Sequence, residues 1–184
     1  MKKLLVLTML ALLVFSVQGE AFAADVALTS VGQSPDAMMV RVVLRNMGID
    51  HDYDSLMKPE DLSDQKVLVA VVGGSSKGLG AAGIDKEQEK DRAMELIETA
   101  RQKGMKILVM HVGGAGRRGQ LSDLFIEAVA PLSDALIVVE GGNEDGLFDR
   151  LIDGKDIPMH SADSVKGTNV PLETVLSGWG VTAG

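Results

Sequence analysis

"KVLVAVVGGSSKGLG", Lys66 to Gly80, sets two serines and a lysine among glycines directly after an apolar run. Three chemistries use such a pattern. From Gly74 it spells G-x-x-x-G-x-G, a phosphate turn of nicotinamide enzymes. Gly73 to Gly78 has P-loop spacing, and Gly74 to Gly78 is G-x-S-x-G, which places Ser76 at a nucleophile elbow. The P-loop reading fails because Leu79 stands where the phosphate-binding lysine belongs. The dehydrogenase reading needs a tyrosine with a lysine four positions on. The only tyrosine, Tyr53, has Met57 there. An exported compartment also lacks a ready nicotinamide supply, so no cofactor is expected. A Ser76 hydrolase could draw its acid from Asp145 or Asp153 and its base from His160, in the chain order of that fold. Yet "AAGI" (Ala81 to Ile84) separates the motif from the cap at Asp85, so no helix is expected to start at the elbow.

The remaining chemistry-bearing residues favour binding over catalysis. "GGAGRRGQ" (Gly113 to Gln120) adds Arg117 and Arg118 beside glycines in an acidic chain of net charge −8. With Lys77 and the amides around Gln33, Ser34, Ser75 and Ser76, these cations suit a carboxylate or phosphate. Alternatively the arginines pair with acids such as Asp123 or Glu140. "HDYD" (His51, Asp52, Asp54) lacks a further ligand at metal spacing, and no metal site is expected. His111, beside Gly113 and Gly114, reads as a buried histidine or a pH-sensitive contact. One Trp and one Tyr leave few aromatic platforms for sugars or bases, and the negative charge repels nucleic acid.

These residues must be held by a scaffold. Val67 to Val72, Ile107 to Val112 and Ala135 to Val139 are short unbroken Val/Ile-rich runs, as strands read when helices cover both sheet faces. Val26 to Val31 is a fourth strand. Ile49 to Tyr53 and Ile157 to Met159 are weaker, the latter confined to an edge by Pro158. Between them lie helical patterns: Met39, Val42, Val43 and Met47 after Ser34-Pro35-Asp36, then Ala93, Leu96, Ile97 and Ala100 after an Asp85/Gln88 capping box. Leu121, Leu124, Phe125 and Ala128 form the third. Asp54 to Asp64 reads as an irregular surface segment. The alternation predicts a single three-layer α/β sandwich, doubly wound and flavodoxin-like or Rossmann-like, with five or six mostly parallel strands. Its strand ends carry Gly32, Gly73-Gly74, Gly113-Gly114 and Gly141-Gly142 on one edge, where such a sheet receives ligands.

Lys2-Lys3, the apolar Leu4 to Val17 and Ala21-Phe22-Ala23 read as a signal peptide over 1–23, leaving one domain over 24–184 with no membrane anchor. The expected location is periplasmic or extracellular. There is no cysteine, hence no disulfide framework.

The blocks "LTSVGQSPDA" (Leu28 to Ala37), "VVGGSSKGLGAAGID" (Val71 to Asp85), "HVGGAGRRGQLSDLFIEAVAP" (His111 to Pro131) and "LIVVEGG" (Leu136 to Gly142) carry a further signal. Through them the chain resembles a bacterial family of exported proteins described only as a domain of unknown function. That resemblance implies export and an α/β fold. "LTSVGQSPDA" is also similar to the opening of solute-binding proteins, whose two lobes are about twice this length. The expected function is a non-catalytic binding protein for a small anionic solute, using Gly32, Gln33, Ser34, Gly74, Ser75, Ser76, Lys77, Gly113, Gly114, Arg117 and Gly141. The alternatives are an exported serine hydrolase using Ser76 and an interaction subunit that docks on a transporter or another protein.

Overall fold

The computed structural model describes residues 24–184, so the expected signal peptide lies outside the described residues. In chain order the elements are β1 (Val26–Val31), α1 (Asp36–Asn46), β2 (His51–Tyr53), β3 (Val67–Val72), α2 (Ser76–Ala82) and α3 (Lys86–Gln102). Then follow β4 (Lys106–His111), α4 (Gln120–Val129), β5 (Ala135–Val139), α5 (Leu147–Ile152), β6 (Met159–Ala162) and α6 (Asn169–Gly178). The six strands form one sheet in the order β2-β1-β3-β4-β5-β6. Every pairing is parallel. This is a doubly wound α/β sandwich of flavodoxin-like order, with its topological switch point between β1 and β3. The two weak strands take the two edges, and Pro158 immediately precedes β6.

The sheet is buried on both faces. Alternate residues of β1, β3, β4 and β5 meet α1 and α6 on one side. The others meet α2, α3, α4 and α5 on the opposite side. That two-sided burial is why the central strands are continuous apolar runs. The connection from β2 to β3 holds no α-helix. It is irregular apart from a 3₁₀ turn at Pro59–Asp61, and Met57 and Leu62 plug the space on the α3 side. No described helix is long and apolar enough to cross a membrane.

Local signals explain the ends of α3. Asp85 accepts from the Gln88 amide at 2.8 Å while Gln88 accepts from the Asp85 amide at 3.0 Å, a reciprocal capping box. Ala93, Leu96, Ile97 and Ala100 form its buried stripe. Two helices differ from the sequence expectation. Helix α1 buries Asp36, Ala37, Val40, Val43 and Leu44, leaving Met39 and Val42 exposed. Apolar residues run almost all round this helix, so two neighbouring stripes fit helical spacing. The chain path from β1 selects the one that faces the sheet. Helix α2 begins at Ser76, where no helix was expected. Ser75 caps it by accepting from the Gly78 amide at 3.0 Å, and Gly83 ends it in the left-handed region at φ +70°. Gly78 and Gly80 hide this short helix, because each lowers intrinsic propensity by about 1 kcal/mol relative to Ala.

Candidate functional site

The loops after β1 and β3 zip together across the switch point. The Gly73 amide donates to Val31 O at 2.9 Å, Ser34 N to Gly73 O at 3.2 Å, and Ser75 N to Gly32 O at 2.9 Å. Gln33 pairs with Gly74 as an isolated antiparallel bridge. Gln33 sits at φ +58°, an uncommon conformation for a residue with a side chain. Its amide nitrogen fixes it there, donating to Ser55 O at 2.8 Å and Glu89 Oε1 at 3.0 Å. Gly78 must be glycine because its missing Cβ would overlap Gln33 O. The crevice expected between β1 and β3 is therefore occupied by the chain itself.

Below this zipper lies an ion pair that the sequence did not reveal. Glu89, fully buried on α3, accepts from Gly32 N at 2.8 Å and from Arg92 Nε at 2.8 Å. Arg92 also donates to Met57 O at 2.7 Å and Ser30 O at 2.6 Å. The pair anchors α3 to the β1 turn and to the β2–β3 connection.

A second pair spans the strand ends. Asp36, only 1% exposed at the start of α1, accepts from Arg117 Nε at 3.1 Å and Arg117 Nη2 at 3.3 Å. A Cβ on Gly73 would lie 3.1 Å from Asp36 Oδ2 and 3.0 Å from Arg117 Cγ. One on Gly113 would overlap Arg117 itself and lie 2.9 Å from Asp36 Oδ2. Glycine after β3 and β4 thus clears a corridor for this pair. Arg118 is held differently. Its Nε donates to Asp123 at 2.8 Å, Nη1 to Gly142 O at 2.6 Å and to Asp145 at 2.9 Å, and Nη2 to Asp145 at 3.0 Å. The hydrogen bonds from Arg118 hold the Asp145 carboxyl down at about 2 and raise Arg118 further above its ordinary value. Arg118 is thereby a clamp between the β4 and β5 loops.

Between the β3 and β4 loops and the start of α4 the surface opens into a hollow of about 290 Å³. Ser76, Arg117, Arg118, Gln120, Leu121, Ser122 and three glycines (Gly74, Gly116, Gly119) line it. No carboxylate is among these lining residues; Asp36, Asp123 and Asp145 engage the arginines from outside the lining. Ser122 Oγ accepts from Gly74 N at 2.9 Å, tying α4 to the β3 turn. Of the residues singled out in the sequence, Gly74, Ser76, Arg117 and Arg118 meet in this hollow. Ser75 caps α2, and Lys77 is exposed one residue beyond Ser76. Gly32, Gln33 and Ser34 lie in the zipper. Gly113 flanks the Asp36–Arg117 pair, while Gly114 and Gly141 pack the β4 and β5 loops together. Gln120 and Ser122 were not anticipated, although both start α4 directly after "GRRG".

The nucleophile arrangement is not assembled around Ser76. His160 lines a separate depression with Glu140, Gly141 and Glu144 beside β5 and β6, and Asp145 is committed to Arg118. His111 is fully buried, with Nδ1 3.0 Å from Val72 O, Nε2 3.3 Å from Gly114 O, and its ring against Phe148. A neutral imidazole donates through one nitrogen only, and the shorter contact assigns the proton to Nδ1. Burial pushes His111 below its ordinary 6.5. The two carbonyls and Asp36 pull it up, and Arg118 pushes it further down. The unfolded chain therefore takes up this proton first as pH falls. His111's contribution to stability is complete above about pH 6.5 and shrinks below it. The melting temperature is expected to fall between pH 7 and pH 5, with a shallower slope in His111→Gln, measured by thermal denaturation in matched buffers. Equal slopes would rule out His111 as the source.

No curated protein and no solved structure matches the chain significantly. A family model described as Domain of unknown function (DUF6305) matches residues 23–176. With that match over most of its length, the chain belongs to the DUF6305 family.

Proposed function

We propose that this is an exported, non-catalytic binding protein for a small anion, which it holds in the hollow between the β3 and β4 loops. The observation that carries this reading is the lining: two guanidiniums, two serine hydroxyls and an amide side chain, with no lining carboxylate, in a chain of net charge −8. Arg117 is a third exposed and uses only Nε and Nη2 on Asp36, so part of its guanidinium remains for a ligand. The hollow's lining includes no histidine that could deprotonate Ser76, which supports binding rather than hydrolysis. The basic start, apolar run and Ala21-Phe22-Ala23 support export.

A thermal-shift screen of small carboxylates, phosphate and sulfate against the mature chain tests the reading. At a hundred times its Kd, a bound anion stabilises the fold by about 2.7 kcal/mol. For a domain of this size that raises the midpoint by roughly 5–10 °C. Ser76→Ala and Gln120→Ala should each reduce the shift. A general salt effect from excluded anions would persist unchanged in both variants. If no anion gives a variant-sensitive shift, the reading is wrong.

A further inference from the structure

We infer that the hollow selects a singly charged carboxylate over tetrahedral dianions such as phosphate and sulfate. This rests on the anion-binding reading above; a geometric observation fixes where the anion sits, and an electrostatic one narrows its charge.

The geometric observation concerns which edge of Arg117 is free. A guanidinium carries five N–H groups in a rigid plane. Asp36 takes the side edge, one N–H from Nε and one from Nη2. The end edge, one N–H each from Nη1 and Nη2, has no protein acceptor among the described residues. That end edge is a two-pronged fork whose spacing matches two oxygens of a carboxylate or of a phosphate, so it fixes where an anion sits and leaves the choice among anions to charge. Asp36 fixes the plane of the fork from behind, since its own carboxylate is buried and walled by Gly73 and Gly113. Ser76 and Gln120 on the same hollow can donate to the outer lone pairs.

The electrostatic observation concerns charge balance. Arg117 is neutralised by Asp36, and Arg118 faces both Asp123 and Asp145. Lys77, exposed next to Ser76, brings the cluster to three cations against three carboxylates. A dianion entering this surround finds hydrogen-bond donors but no net positive charge to offset its desolvation. A monoanion loses less solvation and can still use the full fork.

The test is calorimetric titration of the mature chain at pH 8 and constant ionic strength with acetate, lactate, inorganic phosphate and sulfate. The expected result is at least about tenfold tighter binding of the monocarboxylates. Arg117→Lys keeps the charge beside Asp36 but removes the fork. It should weaken carboxylate and phosphate binding alike, by about tenfold (1.4 kcal/mol), and leave the ratio between them unchanged, because the charge balance is kept. Should that variant fold poorly, Gln120→Ala gives the second reading, with a smaller loss of the same sign for carboxylates. Phosphate or sulfate binding as tightly as the carboxylates would overturn the selectivity while leaving the anion site standing. Carboxylate binding untouched by both substitutions would overturn the fork. If no anion binds at all, both this inference and the reading beneath it fall.

Discussion

Glu89→Ala is expected to lower the unfolding free energy by about 3–5 kcal/mol. The carboxylate is fully buried and receives hydrogen bonds from Gly32 N, Gln33 Nε2, Arg92 Nε and Arg92 Nη2. Its removal strands a guanidinium whose side chain is only 12% exposed, and it leaves the Gly32 amide without an acceptor. Against a typical total of about 5–15 kcal/mol, that loss is a third or more of the stability. Glu89→Gln separates the two contributions. The amide oxygen can still accept from Gly32 N, but the amide NH₂ opposes Arg92, so the expected cost is about 1–3 kcal/mol. Glu95→Ala, on the exposed face of the same helix, should stay within about 0.5 kcal/mol. Urea unfolding at constant slope gives all three. A Glu89→Ala midpoint matching that of Glu95→Ala would show that Glu89 is no anchor.

This buried acid also marks where the sequence stops being informative. The central strands were legible because burial on both faces leaves an unbroken Val/Ile signature. Helix α3 was legible because its cap and stripe lie within one local window. Glu89 sits in the first turn of that helix, where an acid is already explained by the helix dipole. Nothing in its spacing says that it reaches 57 positions back to Gly32. Asp36 is disguised in the same way by its place after Pro35. The glycines were legible as positions where something comes close, but their partner was not. They read as clearance for a ligand, whereas Gly73, Gly113 and Gly78 make room for Asp36, Arg117 and Gln33 of the chain itself. Likewise "RRG" announces two cations without saying that Arg118 is engaged through all three nitrogens and Arg117 only along one edge. Those assignments depend on which loops the sheet order brings together. Local pattern cannot supply that order.

The Asp36–Arg117 pair should respond asymmetrically to truncation, and the asymmetry connects stability to the site. Arg117→Ala leaves a carboxylate 1% exposed with no cation beside it, at an expected cost of about 3 kcal/mol. Asp36→Ala costs less, about 1–2 kcal/mol, because the Arg117 side chain is 32% exposed and can turn to water. The double variant should fall short of the sum by about 1–3 kcal/mol. Additivity within about 0.3 kcal/mol would mean the two side chains do not act as a unit. The same Asp36→Ala variant bears on selectivity. It frees the side edge of the guanidinium, loosens the plane of its end edge, and removes one carboxylate from a cluster that was balanced. Loosening the plane weakens a two-pronged contact with carboxylate and phosphate alike. The added unit of net positive charge favours a dianion more than a monoanion, because Coulomb energy scales with the ligand's charge. Only the charge change separates the two anions, so titration of Asp36→Ala should show the preference for carboxylate over phosphate narrowing. A preference that stays the same or widens would mean that Asp36 does not set the charge of the hollow.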